Sequence, residues 1–226
     1  MSDFEARSQE LTTGRFAEDF IFLTEMKDFV LSQVNSAGAE ELPEITDAMK
    51  GTFYELSDGR KIQCFFPNGK RRLQECSSKE WLFVGFLGRK LPYEDIPTEV
   101  ENLVWEKNTG LIAQLQTHRD ILAYCSAERE AGGDWGNIIF MASQGALLHW
   151  RQLELHGDTV RDLSPRYYRD IRIHCGLLRH GERGDCFLHQ RTIFLDYGDF
   201  STTGKINRIE KYWETDTTEP EQPENA

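Results

Sequence analysis

From Trp81 to Tyr197 the chain alternates between two kinds of segment in an order that few folds allow. Trp81-Leu-Phe-Val-Gly-Phe-Leu-Gly is continuous and apolar, as a central strand buried on both faces requires. Pro92 and Pro97 bound a loop, and Pro97 suits the first turn of a helix. Val100, Leu103, Val104, Leu111 and Leu115 then recur on one helical stripe, with Gly110 a candidate break. Ile121 to Ser126 predicts a strand, Gly132-Gly133 a turn, and Trp135 to Ala142 the returning strand. A helix capped by Ser143 follows and runs to Ser164-Pro165. Ile171 to Leu178 and Phe187 to Tyr197 predict two more strands.

The first six of these elements spell βαββαβ, which predicts an α+β, ferredoxin-like sheet with helices on one face over residues 80–213. Such a sheet leaves its other face apolar, so a homodimer through that face is expected. Ahead of it, residues 15–79 predict a helix plus a small β-meander. Phe16, Phe20, Leu23, Val30 and Val34 follow a helical period, and Gly38 ends that helix. A second short helix fits Pro43 to Lys50. Thr52 to Leu56, Lys61 to Phe66 and Lys70 to Glu75 predict three strands, joined by Asp58-Gly59 and Asn68-Gly69 turns. Residues 1–14 and the acidic stretch 214–226 lack the apolar side chains needed to offset ordering entropy, and are expected to be disordered.

Trp81-Leu-Phe-Val-Gly-Phe, the Trp135-Gly-Asn-Ile-Ile-Phe strand and the helix with Trp150 and His156 together resemble the dimeric α+β barrel superfamily, over about residues 80–200. Its members include antibiotic-biosynthesis-monooxygenase-like and EthD-like proteins. The resemblance implies a small-molecule-binding protein, and one candidate activity is cofactor-independent, monooxygenase-like oxidation of a small aromatic or anionic compound. It also implies a haem-binding alternative, with His149 or His156 as axial ligand. A non-catalytic ligand-binding or interaction protein is the third reading.

Charge and cysteines exclude other classes. Net charge is −12, and no Lys/Arg-rich run is present to follow phosphates, so nucleic acid is not an expected partner. No apolar run reaches the roughly 20 residues that span a bilayer, and the first residues lack the apolar region of a signal peptide. A cytoplasmic protein is expected. Its 5 cysteines carry no Cys-x-x-Cys pair, which fits reduced thiols. Cys175, Cys186, His174 and His189 lack the paired knuckles of a zinc site, so no metal is expected.

The candidate site residues gather around the helix from Ser143. On a helical wheel, His149 and His156 fall beside Leu153 and Val160, opposite Arg151, Glu154 and Asp158. Seven residues apart places them about 10 Å apart along the axis, too far to share one metal ion at about 2 Å per ligand. One imidazole could act as acid or base while the other positions a ligand; paired core histidines are the structural alternative. His156 and His149 are therefore the candidate catalytic residues. Trp150, Tyr167, Tyr168, Arg172 and His118 are the candidate ligand-binding residues. Arg161, Arg166, Arg169, Arg172, Arg179, Arg183 and Arg191 form an arginine-rich stretch. It suits an anionic or aromatic ligand, or pairing with the chain's own Asp162, Asp170, Glu182 and Asp185.

Overall fold

The computed structural model of the protein describes residues 15–35, 44–47, 51–76, 80–153, 157, 159–180 and 185–213. The two termini expected to be disordered lie outside these residues, as does His156. The architecture is α+β, built on one nine-stranded sheet whose order is β1-β2-β3-β5-β6-β4-β7-β8-β9. Its strands are β1 (Glu44–Asp47), β2 (Gly51–Glu55), β3 (Lys61–Phe65), β4 (Trp81–Lys90), β5 (Ile121–Glu128), β6 (Trp135–Met141), β7 (Tyr168–Arg179), β8 (Cys186–Asp196) and β9 (Asn207–Tyr212). Each neighbouring pair is antiparallel. The strands before residue 80 do not stand apart, because β3 pairs with β5 through Cys64 opposite Cys125 and Ile62 opposite Ala127. The sheet is therefore larger than the four-to-five-stranded one predicted. No helix among the described residues is long and apolar enough to cross a membrane.

Helices cover both faces. Helix α1 (Phe16–Asn35) lies on one, burying Phe22, Leu23, Met26 and Val30 against Phe83, Leu87, Ile138 and Phe140. Helices α3 (Thr98–Gln114) and α4 (Gln144–Gln152) lie on the other, where Leu115 and Ala146 pack with Tyr124, Ile139 and Met141. Strand alternation sorts these sets: Trp81, Phe83 and Leu87 of β4 are buried under α1, while Val84 and Phe86 face α3 and are only half-buried. The apolar face expected to be open for a second subunit is thus occupied by α1.

Three local expectations are corrected. Lys70–Glu75 is not a strand but a short helix, α2. Leu73 and Cys76, three residues apart, are both buried. A helix puts them on one side, whereas strand alternation would expose one of them. Glu44–Asp47, expected within a helix, is strand β1 on the sheet's edge. The helix capped by Ser143, whose hydroxyl accepts from the Ala146 amide, does not run on to Pro165. It stops at Gln152, because Leu153 is extended at φ −63° and ψ 124°. Further along come a π turn (Thr159–Leu163) and helix α5 (Ser164–Tyr167), where Pro165 occupies a first-turn position that needs no donor. A last short helix, α6 (Phe200–Thr203), leads into β9. Gly110 does not interrupt α3.

Helix α1 sits close to the sheet because two strand positions beneath it have no side chain. A Cβ at Gly85 would lie 2.6 Å from Leu23 Cδ2, and one at Gly136 2.5 Å from the Phe22 ring. Gly85→Ala should therefore lift α1 and cost about 1–3 kcal/mol, read as a lower urea midpoint with an unchanged slope; wild-type stability in this variant would show that the contact yields freely.

Candidate functional site

The face under α3 is less tightly closed than the face under α1. Between α3, the Thr159–Ser164 turn and the sheet lies a cavity of about 180 Å³. Val84 and Phe86 of β4, Ile139 of β6 and Ile173 of β7 form its floor, Leu111 part of its roof, and Trp150 of α4 stands at its wall. Helix α4 stops at Gln152, and the π turn and α5 are the described elements that follow it on this side of the cavity. A smaller space of about 60 Å³ adjoins it toward Trp105, Trp135 and Tyr167, sharing Phe86, Val104, Asn108, Tyr124, Asn137 and Tyr168 with the larger one.

The polar groups that the described residues bring to the larger space are few and neutral. The Tyr124 hydroxyl donates to Asn108 Oδ1 at 3.5 Å. Burial pushes the Tyr124, Tyr167 and Tyr168 phenols well above their usual range, so all three stay protonated. No acidic, basic or imidazole side chain among the described residues lines the larger space. The described lining can hold a small, mainly apolar molecule and offer it hydrogen bonds; among the described residues of the larger space there is no general acid or base of ordinary pKa.

The structure divides the residues singled out from the sequence. Trp150 and Tyr168 line the larger space, and Tyr167 lines the smaller one. His149 and His118 come together, with ring centroids 5.3 Å apart, but beside the cavity rather than in it. His149 Nε2 meets the Thr117 hydroxyl at 2.8 Å, and His118 Nδ1 accepts from the Asp120 amide at 3.2 Å. Arg172 lies on the opposite face of the sheet and is fully buried. The arginine-rich stretch is largely spent within the chain: Arg161 pairs with Asp162, Arg179 with Glu80, and Arg191 with Glu210. His174 and Cys175 point to opposite faces of β7, as do consecutive strand residues generally. No group of metal-ligating side chains occurs among the described residues.

What the sequence reading missed is a buried ionic network under α1. Asp19, fully buried on that helix, receives the Arg172 guanidinium through Nε to Oδ2 and through Nη2 to Oδ1 at 2.8 Å. Arg129 stands 3.4 Å from the same carboxylate. Asp170, also buried, takes Arg172 at 3.3 Å and Arg89 at 2.7 Å. On Asp19's other side, His174 Nε2 lies 3.0 Å from Oδ2. A carboxylate only accepts, so that nitrogen carries the hydrogen. His174 Nδ1, His189 Nε2 and Trp213 Nε1 all converge on the Thr192 hydroxyl, at 3.0, 3.0 and 3.1 Å. The indole can only donate, so Thr192 gives its one hydrogen to one imidazole and accepts from the other. Phe16 stacks on Trp213 and packs against His189, closing the cluster.

Two titration consequences follow. Burial alone would raise the Asp19 carboxyl, but hydrogen bonds from Arg172 and His174 outweigh it and hold the pKa at about 2. Burial, helped by His174, lowers His189 to about 3. Asp19 therefore stabilises the fold above its unfolded value near 3.8 and loses that effect as pH falls toward 2. His189 is bound neutral. Its unfolded form, near 6.5, takes up a proton first, so stability declines as pH falls from about 6.5 toward 3. The thermal midpoint should accordingly drop between pH 7 and pH 4.5, and His189→Gln should flatten that slope; an unchanged slope in the variant would remove His189 as its cause. Asp19→Ala, which strands Arg172 without its partner, should cost about 3–5 kcal/mol in urea unfolding, and a cost below 1 kcal/mol would show that Arg172 finds water instead.

Comparison of the chain with protein-family models, with curated proteins and with solved structures returns no match, so the function has to be read from the chemistry of the cavity.

Proposed function

We propose that this protein binds small, mainly apolar ring compounds in the cavity beneath α3, and that it acts by binding rather than by acid–base catalysis. The observation that supports this reading most is the cavity's combination of size and lining. Cavities of about 150 Å³ walled by aliphatic and aromatic side chains stay dry and take up benzene; this one has about 180 Å³ and is walled by Val84, Phe86, Leu111, Ile139, Trp150 and Ile173. A well-packed domain gains nothing from keeping such a space empty. We further read β7-β4-β6-β5, with α3 and the α4–α5 segment as its two connections, as a ferredoxin-like unit widened at both edges. The strand order and the antiparallel pairing support that reading. An oxidase of the monooxygenase-like type would need the same cavity and, in addition, turnover measurable as oxygen uptake with a quinol.

Toluene is a suitable first ligand. At a hundredfold excess over its dissociation constant it should stabilise the protein by about 2.7 kcal/mol, raising the thermal midpoint by roughly 5–10 °C for a chain of this length. Val84→Phe fills the space from its floor. That variant should fold within about 1 kcal/mol of wild type, since the added volume is already vacant, yet show no rise with toluene. A rise of equal size in both proteins would place the ligand elsewhere, and no rise in the wild type would reject the reading.

A further inference from the structure

We propose that the cavity selects uncharged ring compounds bearing a hydrogen-bonding group, which the carboxamides of Asn108 and Asn137 grip, and that it turns carboxylates away. This rests on the reading of the cavity as a binding site. Asn108 comes from α3 and Asn137 from β6, so one stands in the roof and the other in the floor. Both line the larger and the smaller space, which puts them at the junction of the two. A polar side chain in an apolar wall is costly unless something bonds to it. Asn108 is met on its oxygen by the Tyr124 hydroxyl at 3.5 Å, a long contact, and its amino hydrogens are left for whatever fills the junction. The Asn137 side chain is half-buried on β6 and lines the same junction. Two carboxamides supply both donors and acceptors, so they suit a primary amide, a phenol or a ring N–H alike.

The rest of the lining sets the charge preference. No cationic side chain lines the larger space among the described residues. Lys90 reaches the smaller one, where its ammonium lies over the Tyr167 ring at 5.7 Å. Arg172, the guanidinium nearest along β7, is turned to the other face and held by Asp19 and Asp170. A carboxylate entering the larger space would lose its water without gaining a counter-charge from the described lining, and the Lys90 ammonium beyond the junction is already engaged over the Tyr167 ring. A neutral amide of the same shape would lose less and meet two partners.

The test uses the full chain and four single-ring molecules of nearly equal size: toluene, phenol, benzamide and benzoate, titrated calorimetrically at pH 7. Benzamide and phenol should bind at least tenfold more tightly than toluene, and benzoate should give no heat at concentrations where benzamide saturates. Asn137→Leu and Asn108→Leu, each close to isosteric, should bring benzamide down to toluene's affinity and leave toluene's own affinity unchanged or higher. Should Asn137→Leu fail to fold, Asn108→Leu on the half-buried helix α3 carries the comparison. Toluene binding with no preference for benzamide overturns this proposal and leaves the binding site standing, as does benzoate binding as tightly as benzamide, or a preference that survives both substitutions. Failure of all four molecules to bind overturns the proposal together with the reading beneath it.

Discussion

A guanidinium with no exposure to water, Arg172, sits in the middle of the sheet, and much of the rest of the molecule answers to it. A charge in that position is tolerable only if opposite charges reach it with good geometry. Asp170 on the same strand supplies one contact, but the two-pronged partner is Asp19, which is on a helix and not in the sheet. The bond therefore fixes where α1 lies. Gly85 and Gly136 let the helix come close enough for Phe22 and Leu23 to seal the ionic pair from water. His174 and Thr192 extend the network to the β8 edge, where Trp213 and Phe16 close it.

The two faces of the sheet have taken opposite solutions to the same problem. Under α1 a long helix with a complete buried stripe meets strand positions cut back to glycine, so packing is tight and the polar groups are bonded to one another. Under α3 the helix stripe is only half-buried beyond Val100, and its companion stops early. The described polar groups lining its larger cavity are uncharged. A rigid, fully committed face behind a looser one is a sound arrangement for binding, because a space is held open only when its floor cannot collapse into it.

Much of this frame was legible in the sequence. The Asp58-Gly59 turn, the continuous apolar run from Trp81, and the Ser143 cap each named a feature found at that place, because each rests on local physics. The misreadings arise where tertiary packing overrides the local signal. Lys70–Glu75 looks like a charged edge strand until Leu73 and Cys76 are seen to need one common face. The helix through His149 was extended on its wheel past Leu153, where nothing in the residue types marks the break. Most of all, the Asp19–Arg172 pair went unread: Arg172 was assigned to ligand binding, and neither residue type is ordinarily buried unless paired. Their 153-residue separation hides the pair from any local window. Trp150, singled out on the helix that carries the family resemblance, and Tyr168, singled out beside the arginine-rich stretch, both line the cavity, whereas Asn108 and Asn137 were passed over because an asparagine carries no periodic signal.

That separation also bears on the order in which the molecule can assemble. Helix α1 precedes every strand it packs on, yet its buried carboxylate lacks its two-pronged partner until β7 has been synthesised and paired. Closing so long a loop costs entropy before any contact repays it, which places this fold among the slow ones. The Asp19–Arg172 bond is thus a contact that only a β7 paired in this register, 153 residues further along the chain, can complete.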